Sequence, residues 1–305
     1  MTQTNENQAN RLLGYPADAR LLIINADDFG FANAMNEAIF RILQEGVVRS
    51  TTLMVPCPWA LHAMRLLKDH PDIPFGVHLT VISDPADYRW GPLTAPGKVP
   101  SLVDGGRYFY NFDGFHQHLH DVRLDELEVE FRAQIETVLA AGLNPTHLDW
   151  HAIRFGSRTD IVELMIGLAK EYGLALRVIG RTWVEKLQGQ GLPTIDYDFV
   201  DSYMLGSANK SARYVQLLHD LPAGLSEWAV HPGLDSQELL ALEPEGNHFR
   251  QADFDFFTSQ QVKDTVKAEG IILLDYRALQ IIWRRLAGLV TASASPQSFL
   301  DDRVI

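Results

Sequence analysis

The sequence predicts an α/β fold built on parallel strands, and three observations carry that expectation. Short apolar runs such as 21–24 (Leu-Leu-Ile-Ile) are continuously hydrophobic, as strands covered on both faces are. Amphipathic stretches of helical spacing lie between them, so that strand and helix alternate at roughly 25 to 30 residues per unit. Several of the runs end in aspartate or histidine, at the strand ends where α/β sheets and barrels place their ligand sites. The 305 residues, 46% of them hydrophobic, suffice for one large core. A single α/β barrel accounts for them as well as two smaller domains do, and the expected organisation is one domain over 16–290, with a frayed tail at 1–15 and another tail at 291–305.

The first run delivers Asp27 and Asp28 to a turn containing Gly30. Neighbours in an extended chain point to opposite sides, so the two aspartates are free to hold different roles; capping of the next helix is the plain alternative. Residues 33–44 place Met35, Ala38, Ile39, Ile42 and Leu43 on one helical face, and Gly46 ends them. A second strand is expected over 49–55, a second helix over 59–68 and a third strand over 73–79, carrying His78. Residues 83–114 then break the rhythm with Asp84-Pro85, Gly91-Pro92, Pro96-Gly97 and Asp104-Gly105-Gly106. Tyr88, Trp90, Tyr108 and Tyr110 within this insertion suggest a lid whose rings flank a substrate.

A helix over 125–140 stops at Gly142, and 145–151 reads as a strand with His147 and His151 four residues apart. A helix over 160–172 precedes a strand over 174–178 that carries Arg177. Residues 181–209 read as irregular. Helix 211–219 and strand 226–230 lead into His231-Pro232-Gly233; helix 259–268, strand 271–274 and an apolar helix over 276–289 on the barrel exterior complete the chain.

A formal charge of -13 disfavours nucleic acid or an anionic membrane as partner. No run approaches the roughly 18 apolar residues of a membrane span. The N-terminal ten residues are polar and lack the features of a secretory signal. With Cys57 as the one cysteine, no internal disulfide forms, which suits a cytoplasmic location; Cys57 itself reads as a packing residue.

Strand ends therefore carry Asp27 and Asp28, His78, His147 to His151, and His231, and a parallel barrel brings all such ends to one face. Two imidazoles and a carboxylate hold a divalent ion with positions left open, and a second carboxylate is then free to act as a base. His147 reads as a structural residue or one that supports a ligand. Asp149 orients a ligand or caps a turn. Arg177 either holds Asp27 ionised or makes an ordinary salt bridge. His116, His118 and His120 alternate but lack the carboxylate or cysteine frame of a metal site.

The segments Asn25-Ala26-Asp27-Asp28-Phe29-Gly30, Gly76-Val77-His78-Leu79-Thr80, Pro145-Thr146-His147-Leu148-Asp149-Trp150-His151 and His231-Pro232-Gly233 come in the order of a known family. With Arg250 and Thr258-Ser259-Gln260-Gln261-Val262, the chain over about 21–276 resembles the YdjC-like carbohydrate deacetylases, which include bacterial chito-oligosaccharide deacetylases. The resemblance implies a distorted (β/α) barrel of about seven parallel strands, polysaccharide deacetylase-like, that removes the N-acetyl group from an amino sugar or short oligosaccharide. It also implies that Asp28, His78 and His151 hold one divalent metal ion, zinc or magnesium, with Asp27 as general base and His231 as general acid. The expected partner is a small sugar substrate, with a homodimer as the candidate assembly and no nucleic acid or membrane. Two features depart from the family: Ala152-Ile153-Arg154-Phe155-Gly156 replaces a histidine-rich stretch, and the segments 83–114 and 181–209 lengthen the chain. They support, as an alternative, a metal-dependent amidase or esterase acting on a non-sugar. A non-catalytic sugar-binding barrel is the third reading, and retention of Asp27 argues against it.

Overall fold

The long first strand, β1 (Arg20–Phe29), is the centre of the molecule because its apolar residues are covered on both faces; Leu21 to Ile24 are fully buried. In the computed structural model, which describes residues 8–206 and 208–289, it follows a short helix α1 (Gln8–Leu13). The chain continues through α2 (Asn33–Glu45), β2 (Ser50–Leu53), α3 (Ala60–Asp69) and β3 (Phe75–Leu79). An insertion with the two-residue strands β4 (Val103–Asp104) and β5 (Tyr108–Phe109) and helix α4 (Phe112–Gln117) precedes α5 (Leu124–Ala140). Then come β6 (His147–Trp150), α6 (Thr159–Tyr172), β7 (Ala175–Leu176), α7 (Arg181–Gly189), β8 (Val200–Asp201), α8 (Lys210–His219) and β9 (Gly224–Val230). Helices α9 (Gln237–Leu242), α10 (Asn247–Thr258) and α11 (Gln260–Ala268), strand β10 (Ile272–Leu274) and helix α12 (Arg277–Leu286) complete it.

All pairings in the main sheet are parallel, in the order β7-β6-β3-β2-β1-β9-β8. Among the described residues no pairing joins β7 to β8, so the curled sheet is a distorted barrel left open along that seam. One edge of β1 is shared: β10 pairs with Leu21 to Ile23, and β2 with the stretch from Asn25 to Phe29. The β1–β2 register shifts between Ala26 and Phe29, a bulge that falls on Asp27 and Asp28.

Three expectations need correction. The expected tail at 1–15 includes α1, which buries Ala9 and Leu13 and donates the Ala9 N–H to Asp196 at 3.1 Å. The tail at 291–305 lies outside the described residues. The segment 181–209 holds α7 and the edge strand β8; only Val184 and Leu187 among the helix's apolar side chains are buried, too sparse a pattern to show in sequence. The insertion is packed down instead of standing over the site as an aromatic lid. Trp90 is buried edge-on to Phe31 at 5.1 Å, and Tyr88 donates to the Phe31 carbonyl. Glu130 of α5 accepts the N–H groups of Leu93 and Thr94, and Glu126 that of Ser101, so backbone donors that a loose loop would leave to water are satisfied by a helix.

Gly76 of β3 faces the buried His147 ring, which stacks on Tyr276 at 3.6 Å; a Cβ at position 76 would lie 2.6 Å from that ring. Gly76→Ala is therefore expected to destabilise the fold by about 1–3 kcal/mol through overpacking. Urea unfolding checks this, and an unchanged midpoint would refute it.

Candidate active site

Strict strand alternation would send Asp27 and Asp28 to opposite faces, yet at the C-terminal end of β1 both carboxylates come within 4.8 Å of a ring nitrogen of His78. The bulge and a left-handed backbone at Asp28 (φ 72°) account for this. Aspartate is among the few non-glycine residues that tolerate this conformation. Gly30 continues the turn at φ 99°, where a Cβ would meet the Ala60 backbone at 3.1 Å.

Asp27 receives both Nη atoms of Arg177, at 2.8 and 2.9 Å, and the Asn25 amide at 2.7 Å. Burial opposes its charge, but Arg177 outweighs burial and holds the carboxyl below the usual carboxylate range. Arg177 also meets Asp149 at 2.7 Å and Glu227 at 2.8 Å, and Tyr276 donates to Glu227. Asp28 turns away from this cluster. Its Oδ2 pairs with Arg250 at 2.9 Å, and its Oδ1 lies 3.6 Å from His78 Nε2 and 3.3 Å from His151 Nδ1. The remote ring nitrogens are held by carboxylates: His78 Nδ1 by Asp149 at 2.7 Å and His151 Nε2 by Asp84 at 2.5 Å.

His231 approaches from the end of β9. Its Nδ1 is 2.8 Å from Ser202 Oγ, its backbone N–H donates to Asp253, and its Nε2 faces Asp27 at 4.0 Å. The structure thus brings together Asp27, Asp28, His78, Asp149, His151, Arg177 and His231. It leaves out His147: strands rise about 3.3 Å per residue, so His147 sits about 13 Å below His151. There its Nδ1 contacts Thr146, and burial together with Arg177 keeps the ring neutral.

Four residues escaped the sequence reading. Glu227 carried a signal, since it shares the strand face of His231 at i and i+4 and is a carboxylate in a buried strand. Asp84, Ser202 and Asp253 come from separate loops and helices, and local pattern holds no trace of their partners.

The residues present fit a divalent cation. Asp28 Oδ1 is buried without a hydrogen-bond partner among the described residues, and it converges with one nitrogen each of His78 and His151 within 4.8 Å. Four buried carboxylates (Asp27, Asp28, Asp149 and Glu227) face two buried guanidinium groups (Arg177 and Arg250), a surplus of negative charge when the imidazoles are neutral. His151 supplies part of the compensation: burial opposes its charge, but Asp84 and Asp28 overcome that and lift its pKa to about 10. Beside the site, Trp150, Ile153, Phe155, Met165 and Trp183 wall an apolar cavity of about 270 Å³ that Arg177 also borders.

An open, curled parallel sheet with two aspartates on its central strand and imidazoles from flanking strands defines an α/β barrel protein with an acid–imidazole site. The family model for YdjC-like proteins matches residues 21–268, and the chain belongs to that family. It is similar to a carbohydrate deacetylase of Thermoanaerobacter pseudethanolicus, 29% identical over 86% of this chain and 100% of that one. A carbohydrate deacetylase of Enterococcus faecalis is 30% identical over 85% of this chain and 97% of its own. A solved structure from Enterococcus faecalis, described as a candidate cellobiose-phosphate cleavage protein, matches with a TM-score of 0.74 at 30% identity, covering 86% of this chain and 99% of that one. No described helix is long and apolar enough to cross a membrane.

Proposed function

We propose that the chain is a metal-dependent carbohydrate N-deacetylase that hydrolyses the acetamide of an amino sugar or short oligosaccharide. The observation that carries this reading is the division of labour between the two aspartates. Asp28, His78 and His151 converge as one ligand set; Asp27, which also lies within 4.8 Å of His78 and Asp149, is engaged by both Nη atoms of Arg177 and held ionised. The names of the relatives, carbohydrate deacetylases over nearly their full length, agree with it. A divalent ion on that set supplies Lewis acidity toward the acetamide carbonyl and acidifies water.

The remaining chemistry belongs to the chain. Asp27 takes the proton of the attacking water, and Arg177 fixes the carboxylate in place. As nitrogen leaves, His231 gives it a proton from Nε2, the ring atom that faces Asp27; Ser202 and the Asp253 bond to the backbone hold that ring. Acetate and a free amino sugar result. Acetate release from di-N-acetylchitobiose, with the ion stripped and restored, tests the proposal. No cleavage under any metal would end it. A second reading, hydrolysis of a larger amide or ester, draws on the apolar cavity; it requires that acetamides fail and bulkier apolar acyl groups succeed in the same assay.

Metal loading should also be proton-linked. With a pKa raised to about 10, His151 is protonated in the metal-free protein at neutral pH, and a ligand must be neutral to bind. Binding therefore expels about one proton near neutral pH, and affinity tightens toward about tenfold per pH unit as pH rises. Calorimetry in two buffers of different ionisation enthalpy reads this directly; heats independent of buffer would contradict it.

A further inference from the structure

We propose that Asp84 is the positioning residue for His151, so that the 83–114 insertion sets how firmly this chain retains its ion. The inference rests on the metal-binding reading above. Its basis is a piece of wiring that the site uses twice. His78 turns Nε2 toward Asp28 and gives Nδ1 to Asp149; His151 turns Nδ1 toward Asp28 and gives Nε2 to Asp84. A carboxylate on the remote nitrogen fixes the tautomer and the ring plane and strengthens the facing nitrogen as a donor.

The two supports differ in their anchorage. The Asp149 side chain is fully buried on β6 and is gripped a second time by Arg177. The Asp84 side chain is 33% exposed and comes from the base of the insertion. It is nevertheless aimed. Pro85 restricts its backbone to extended conformations. Ser83 donates its N–H to the Tyr110 carbonyl at 2.9 Å and accepts the Trp90 N–H on Oγ at 3.0 Å. Trp90 in turn packs on Phe31, three residues beyond Asp28. The start of the insertion is thus tied through Trp90 to the turn that carries Asp28 and reaches His151 through Asp84, so its packing is transmitted to the ligand set through Asp84.

The test is the rate at which cobalt(II) leaves the loaded protein during a chelator chase. The dissociation rate is the appropriate readout because it does not depend on whether the emptied His151 takes up a proton. Asp84→Asn and Asp84→Ala are expected to accelerate loss by about 10- to 100-fold and to alter the cobalt absorption bands; Asp84→Glu should restore much of the native rate. Unchanged thermal midpoints of the metal-free variants would show that the fold is intact. Rates within twofold of native would overturn the inference, including the case in which the variants raise only KM and Asp84 contacts substrate instead. Failure of the unmodified protein to bind cobalt would overturn the metal-dependent reading itself.

Discussion

Asp27→Asn is expected to lower acetate release by about 10³-fold or more, within and beyond the usual worth of a positioned base, while the metal content of the purified protein stays at the native level. The substitution removes the basic oxygen but keeps the side chain's shape. Arg177 retains Asp149 and Glu227, so the guanidinium is not left as an unpaired buried charge, the situation that makes such substitutions unfold proteins. Because Arg177 already holds Asp27 ionised well into acid, raising the pH should not rescue activity in the native enzyme by ionising this group. The acid limb of the rate profile must arise elsewhere. Single-turnover acetate release with elemental analysis of the same sample decides the matter. Metal loss in this variant would exchange the roles of the two aspartates.

Asp28→Asn should give the opposite pattern: metal affinity falls by more than about 100-fold, exceeding the usual cost of losing an outer partner, and turnover falls with it. Asparagine tolerates the left-handed backbone at position 28, so the fold should persist and the loss report on the ligand. Arg250 keeps Glu243 at 2.6 Å when the aspartate charge is gone. Equilibrium dialysis against zinc measures the effect. Stoichiometric zinc at native affinity would remove Asp28 from the ligand set.

The strands that build this site were readable because they are continuous apolar runs, and parallel topology brings their C-terminal ends to one face. Asp27, Asp28, His78, His151 and His231 could each be placed from that logic. The insertion was less legible. Its glycines and prolines signal loops, while its order comes from Glu126 and Glu130 some thirty residues on, whose role in capping foreign backbone has no local signature. Helix α10 was not assigned, although it supplies Arg250 and Asp253 to the site, because its apolar residues are spread around the helix; buried Arg250 and Asp253 share its inner side with Phe249 and Phe257. The approach of both Asp27 and Asp28 to His78 was also beyond alternation rules, since it depends on a bulge and on one positive φ.

That positive φ gives position 28 a mutational spectrum of its own. In a saturation library scored separately for protein abundance and for activity, the backbone accepts glycine and asparagine at little steric cost, so both belong among the abundant but inactive variants. β-branched residues, crowded in the left-handed region, belong among the variants lost from both screens. Neighbouring Asp27 has no positive φ, so glycine gains no such advantage there. Two adjacent identical residues of one motif would thus be distinguished by the substitutions that folding tolerates, before any reaction is measured.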